Sequence, residues 1–410
     1  NIYICFYANG DRKRGKQQIS TKKRKVSNQL NLANGLILGF VVSLLILLFF
    51  QLTRKVSADM TAKEIYEANL PVYRFFGLVS VHIFFWGIDK IVLERYQVNY
   101  HFVMQVAPKN RLLSQQIILT GVSIAFSSLF LLNGVVIIGL TFGTKFIFQN
   151  IFALVYFIAL VFCLFNPFKF LYHNARFYLI KVFQSVFSLP FHNIKFIDFF
   201  IMDQFISYQR ILMDFNYSIC YFFSGDFATS KYDSQICNQI GKNNWISYLL
   251  SYVPFFVRAA QCIKRYFESN LPFPHLANAG KYISVIFYAV SGVVRKIYPN
   301  NGSRLANIIF GIYSSIYTTT WDLIVDWSLF RYPSKNCLLR DKIIFPIYFY
   351  YFSILTNLFL RALQLVPVFK GETFYNNFYM TFLLAFCEIL RRCQWNIYRI
   401  ENEHLNNVGM

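Results

Sequence analysis

Between Phe378 and Tyr398 the chain is apolar for the length of a bilayer, yet Glu388, Arg391 and Arg392 stand in its middle. A charge at the centre of a membrane helix costs about 2.5–3.5 kcal/mol on insertion scales, so it persists only where a partner or an aqueous cavity compensates it. Glu388 precedes the two arginines by three and four residues, which puts all three on one helix face. That face reads as one wall of an anion site, because guanidinium forks match phosphate or carboxylate oxygens with paired hydrogen bonds. The competing reading is a packing device, in which Glu388 neutralises one arginine or the arginines snorkel to the interface.

Further ionisable residues interrupt the apolar runs of the second half: Asp198 and Asp203 in FIDFFIMDQ, Lys281 in HLANAGKY, Asp322 and Asp326 in TWDLIVDW, and Arg361 in NLFLRALQL. Arg361, Arg391, Arg392 and Lys281 together could neutralise a dianion, and the nearby carboxylates would keep the empty site from being overwhelmingly positive. Phosphate fits that charge count better than chloride. Asp322 could hold an arginine in one rotamer or accept a proton from monobasic phosphate. Taken singly, each carboxylate is equally consistent with capping or pairing. The argument rests on the cluster.

The elements that must position these residues are membrane helices. The 410 residues are 56% hydrophobic and 14% charged, with a mean hydropathy of +0.40, and apolar runs of spanning length recur. The expected class is an all-α polytopic membrane protein with about ten transmembrane helices: 35–52, 75–92, 116–134, 146–165, 197–222, 249–263, 276–294, 305–323, 344–366 and 378–398. The net charge of +21 reads as topology and not as nucleic-acid binding, since the basic residues gather in the connections. Lys90, Arg95, Lys109 and Arg111, then Lys169, Arg176, Lys181 and Lys195, then Lys264 and Arg265, then Arg331, Lys335, Arg340 and Lys342 fall in alternate loops, which puts both termini in the cytosol.

The chain divides into a basic cytosolic tail (1–33), four first helices (34–170) and a core carrying the anion pathway (171–410). The tail, with its basic run from Arg12 to Lys25, suits anionic lipid headgroups. The chain begins with Asn, which leaves room for an upstream domain. Eight cysteines lie scattered without a CxxC, so metal and redox motifs are not indicated, and a bridge between Cys220 and Cys237 is one option for their loop. No P-loop occurs, and no cofactor is expected. Gly134, Gly139 and Gly143 suit close helix packing within or between chains, which leaves a homodimer open.

The string EILRRCQWNIYRIENEHLNN at 388–407 closely resembles the end of the EXS domain of the xenotropic and polytropic retrovirus receptor family of phosphate exporters. FNPFKFLYHNARFYL at 165–179, FIDFFIMDQ at 196–204, FVRAAQCIKRYFES at 256–269, FPHLANAGKYISVIF at 273–287 and SSIYTTTWDLIVDWSLF at 314–330 follow the family's order. The resemblance runs from about residue 34 to the end.

It implies an exporter of inorganic phosphate with about ten helices and a pore through the later ones. Its phosphate-handling positions carry over to Lys281, Tyr282, Asp322, Arg361, Arg391 and Arg392, with Asp198, Asp203, Asp326, Gln364, Glu388 and Trp395 supporting the path. The family's LR motif usually continues RFAW, whereas here Arg361 is followed by Ala362, Leu363 and Gln364, so a tryptophan that could line the gate is replaced. No SPX sensor domain is visible in these 410 residues.

The expected mechanism is facilitated, channel-like efflux driven by the membrane field, with no enzymatic activity. Either arginine-to-alanine change, at 391 or 392, is expected to stop phosphate movement and leave folding intact. An enzyme using Asp322 and Asp326 to hold a metal is the rival class. A Golgi protein that recycles lumenal phosphate and supports glycosylation or protein retention is the alternative to plasma-membrane export.

Overall fold

The computed structural model describes residues 27–53, 62–142, 148–188, 193–225, 245–370 and 378–408. In lipid every backbone polar group must be satisfied within its own segment, and these apolar runs accordingly form helices. They are α1 (Asn28–Thr53), α2 (Ala62–Arg95), the single turn α3 (Tyr100–Val103), α4 (Ser114–Phe142), α5 (Phe148–Phe165), α6 (His173–Phe187), α7 (Phe196–Ile206), α8 (Gln209–Phe223), α9 (Trp245–Leu250), α10 (Val253–Ser269), α11 (Pro272–Ile297), α12 (Asn301–Trp321), α13 (Ile347–Lys370) and α14 (Phe378–Val408). No strand occurs among the described residues. The basic run from Arg12 to Lys25 and Cys237 lie outside them. Cys220 is disulfide-bonded, while Cys163, Cys262, Cys337, Cys387 and Cys393 are free.

Among the described residues, six stretches are long and apolar enough to cross a membrane: Asn28–Gln51, Asn69–Arg95, Pro108–Gly139, Pro272–Ile297, Asn301–Asp326 and Ile347–Phe369. The other four expected crossings take different forms. α5 carries a shorter apolar stretch, Ile151–Phe165. The run expected at 249–263 is divided between α9 and α10. α14 is continuous but carries the charges that prompted the opening argument.

The run expected at 197–222 is a correction: it is two helices, α7 and α8, broken at Ser207 and Tyr208. Their N–H groups turn back to Gln204 O and Phe205 O over three residues, each at 3.0 Å. The sequence marks the break with the polar run Ser207, Tyr208, Gln209 and Arg210, which the span expected at 197–222 crossed.

Local chemistry sets other boundaries. Asn300 opens α12 by accepting from Ser303 N at 2.7 Å, and Ser303 Oγ accepts in return from Asn300 N at 3.2 Å. Asn270, at φ 55, closes α10, and Pro272 starts α11 two residues later. α12 ends in a π-helical turn, Asp322–Asp326, in which Trp327 N reaches Asp322 O at 3.0 Å.

α14 packs against α2 on one side and α13 on the other, α2 also packs on α4 and α8, and α10, α11, α12 and α13 follow one another as neighbours. The α2–α4 contact is closest at Gly121, where an added Cβ would stand 2.8 Å from Phe84 N and 3.0 Å from Ser80 O. Small residues permit such backbone approach between membrane helices. Both neighbours are backbone atoms and cannot swing away. Gly121→Val should therefore lower stability by about 1–3 kcal/mol, read as an earlier thermal transition in detergent.

Candidate functional site

The charges seen in the sequence meet where α12, α13, α14 and the α7–α8 break converge. Arg391 is 1% exposed. Its Nε and Nη2 donate to Glu388 Oε2 and Oε1 at 2.9 and 2.7 Å, a bidentate pair within one helical turn. Its Nη1 donates to Asp322 Oδ2 at 3.0 Å. Arg361 Nη2 donates to that same oxygen at 2.7 Å. π-turns are rare and recur at functional sites; this one begins with Asp322, which joins two arginines from two other helices.

Arg392 is placed differently. Its Nε donates to Ser207 Oγ at 2.8 Å, and Ser207 Oγ donates to Glu388 Oε1 at 2.8 Å. The guanidinium lies over the Trp395 ring, 4.7 Å from its centroid. Lys281 on α11 is 5% exposed, with Nζ 4.4 Å from the Tyr282 ring centroid and 5.3 Å from that of Trp321. Among the described residues neither Lys281 nor Arg392 has an ion pair, in contrast to Arg361 and Arg391. Two carboxylates thus restrain Arg361 and Arg391, and among the described residues Lys281 and Arg392 are left with neutral or aromatic partners.

Tyr282 belongs to a neighbouring group. Its OH donates to Asp203 Oδ1 at 2.9 Å. Arg258 Nε and Nη2 donate to Asp203 Oδ1 and Oδ2 at 2.7 and 3.1 Å, and Arg258 Nη1 donates to Gln261 Oε1 at 3.0 Å. Asp326 accepts from Trp395 Nε1 at 3.1 Å and lies 3.8 Å from Arg399 Nε. Asp198 sits at the start of α7, where Oδ2 accepts from Lys195 N at 2.9 Å, a capping contact. Gln364, one turn beyond Arg361, donates to Leu384 O of α14 at 3.0 Å.

Arg258 and Ser207 were not anticipated. Arg258 is 4% exposed and falls inside the apolar run expected at 249–263, so the rule that singled out Lys281 and Arg361 applied to it equally. Ser207 carries no charge, and only its place between two arginines and a glutamate gives it a role. A further buried ion pair, Arg74 with Asp214 at 2.6 Å, ties α2 to α8. At the far end of α14, Glu401 accepts from Ile344 N at 2.9 Å and pairs with Arg340, which anchors the segment after the π-turn. An open cleft of about 340 Å³ between Lys109, Leu112 and residues 169–175 shares no residue with these networks.

A family model described as the EXS family matches residues 69–405. The chain is 30% identical over 422 residues to the phosphate transporter PHO1 of Arabidopsis thaliana, covering 100% of this chain and 52% of that protein. It is 32% identical over 355 residues to the xenotropic and polytropic retrovirus receptor 1 homolog of Xenopus laevis, covering 82% and 50%. It is 30% identical over 395 residues to solute carrier family 53 member 1 of Mus musculus, covering 92% and 55%. The chain spans about half the length of the curated relatives it matches.

Proposed function

The chain belongs to the EXS family, and from that premise we propose that it moves inorganic phosphate out of the cytosol along a path lined by Lys281, Tyr282, Asp322, Arg361, Arg391 and Arg392. The observation that carries this reading is the pair of buried cations, Lys281 and Arg392, each 5% exposed and neither in an ion pair among the described residues. A buried ion left unpaired costs several kcal/mol, and a dianion placed between them removes that cost. The names of the relatives, phosphate transporter among them, supply the substrate.

Asp322 and Glu388 hold Arg361 and Arg391 in fixed rotamers, so the forks are oriented before the ion arrives. They also temper the positive field, so that the ion can leave. Each elementary charge gains about 2.3 kcal/mol per 100 mV on leaving a negative cytosol, which drives a dianion outward without ATP. We place both termini in the cytosol and count ten passes: the six long helices together with α5, the α7–α8 pair, α10 and α14. The break between α7 and α8 fits this reading, since discontinuous helices form the substrate sites of many transporters.

The test is radiolabelled phosphate flux from liposomes holding the purified chain. Flux above that of protein-free liposomes, competed by excess unlabelled phosphate and not by chloride, is the expected result. Flux equal to protein-free liposomes would refute the proposal.

A further inference from the structure

α13 carries a buried amide that the network around Asp322 does not use. Asn357 is 0% exposed, and neither its Nδ2 nor its Oδ1 has a hydrogen-bond partner among the described residues. Because both atoms are unpartnered, the observation holds for either orientation of the amide. Buried polar atoms are nearly always satisfied, and two left unsatisfied on one side chain destabilise the fold. Leucine would fill nearly the same volume without that penalty, so packing alone gives no reason for an amide here.

The register of α13 on α14 fixes where it stands. Ser353 Oγ meets Tyr398 OH at 2.7 Å, Thr356 Oγ1 accepts from Gln394 Nε2 at 2.7 Å, and Gln364 Nε2 donates to Leu384 O at 3.0 Å. The two helices therefore run antiparallel, with Asn357 level with the α14 turn from Arg391 to Gln394. It falls one turn after Ser353 and one turn before Arg361, on one face of α13 and roughly 6 Å from Arg361 along the axis. Arg361 Nε is likewise buried without a partner among the described residues, as is Nε1 of Trp321, which precedes Asp322 in the chain. Of these three residues Asn357 alone brings an acceptor as well as a donor.

Acceptors are otherwise committed in this region. Both oxygens of Asp203 accept from Arg258, and one of them also from Tyr282. Both oxygens of Glu388 accept from Arg391, and one of them also from Ser207. Asp322 Oδ2 is shared by two guanidiniums. At neutral pH the phosphate dianion keeps one P–OH, whereas sulfate is a dianion of the same tetrahedral shape with none. Lysine and arginine answer to charge and shape, so they do not tell the two apart.

We infer that Asn357 is a specificity-determining residue of the anion path: Oδ1 accepts from the P–OH and Nδ2 donates to a neighbouring phosphate oxygen, so that a protonated oxyanion is preferred to sulfate. This rests on the phosphate reading above. A site that pairs with a substrate hydroxyl rejects the analogue lacking it, because its acceptor is then left facing a bare oxygen. In the proposed topology the start of α13 faces the cytosol, so an outgoing ion meets Asn357 before it meets Arg361.

The test uses the full chain in liposomes near neutral pH, with flux of radiolabelled phosphate and of radiolabelled sulfate measured separately for wild type, Asn357→Leu and Asn357→Ser. Thermal transitions of the same proteins are read in detergent. Wild type is expected to move phosphate at least about tenfold faster than sulfate. In Asn357→Leu phosphate flux should fall about tenfold while sulfate flux changes by less than about threefold. Its thermal transition should match wild type or rise, since two unsatisfied atoms are removed. Asn357→Ser keeps a donor and an acceptor on a shorter side chain and should lie between the two in its preference.

A preference for phosphate that survives in Asn357→Leu would overturn the inference, as would a wild type that does not discriminate. Equal loss of both fluxes with a lowered transition, or failure of both variants to fold, would mark a packing role and overturn it too. Absence of wild-type phosphate flux would sink the phosphate reading itself, and the role of Asn357 with it.

Discussion

Arg392→Ala should reduce phosphate flux about 10- to 100-fold and leave the thermal transition of the detergent-solubilised protein within a few degrees of wild type. The flux estimate follows from losing charge-assisted hydrogen bonds to the ion, at about 1.5–3 kcal/mol, with tenfold in rate for each 1.4 kcal/mol. The small structural effect follows from what Arg392 touches. Its neighbours are the Ser207 hydroxyl and the face of Trp395, so its removal strands no carboxylate. The cost to the fold is that of one hydrogen bond, about 1 kcal/mol. Wild-type flux in a folded Arg392→Ala protein would remove this residue from the path.

Arg391→Ala should behave otherwise, with a stability loss of about 3–5 kcal/mol that leaves little folded protein to assay. Among the described residues Arg391 makes three hydrogen bonds, all to carboxylates, two to Glu388 and one to Asp322, and it is 1% exposed. Its loss leaves buried negative charge uncompensated. Lysine cannot substitute, because a single ammonium does not reproduce the planar fork that spans both partners. Adding Glu388→Gln to Arg391→Ala should recover part of the lost thermal stability without restoring flux. A full-height, unshifted melting transition for Arg391→Ala alone would contradict this account of the network.

These two expectations separate residues that the sequence treats alike. Adjacent arginines in one apolar helix suggest the same fate for both mutants, ion movement lost and folding intact. On the proposed reading the two are expected to differ, because Arg391 pairs with carboxylates of α12 and α14 while Arg392 meets Ser207 at the α7–α8 break. Position in a helix does not reveal these partners. What spacing did reveal was the shared face of Glu388 and Arg391, which form a bidentate pair as the three-residue interval allows. The helical class and the six long apolar helices were also legible, since length and hydropathy are one-dimensional properties.

The limits have equally local causes. Ser207 opens the polar run Ser207, Tyr208, Gln209 and Arg210, which is short enough for a span drawn by average hydropathy to run through it. Arg258 sits in a short amphipathic helix whose polar side resembles a surface, although Asp203 and Tyr282 bury it. Asp198 is 2% exposed and its Oδ2 also accepts from Lys195 N at the start of α7, a local contact that its place in FIDFFIMDQ does not reveal.

The Ser207 hydroxyl has a bearing on how long an ion stays. It donates to Glu388 and accepts from Arg392, and so stands as a neutral spacer between a carboxylate and a guanidinium that would otherwise close on one another. Direct closure would occupy the Arg392 fork and raise the cost of opening it. A wider gap would free that fork entirely and deepen the well in which the ion rests. Dwell time lengthens about tenfold for each 1.4 kcal/mol of added depth. On the proposed reading, a single hydroxyl at a helix break therefore acts as a timer, setting the interval between capture of one ion and readiness for the next.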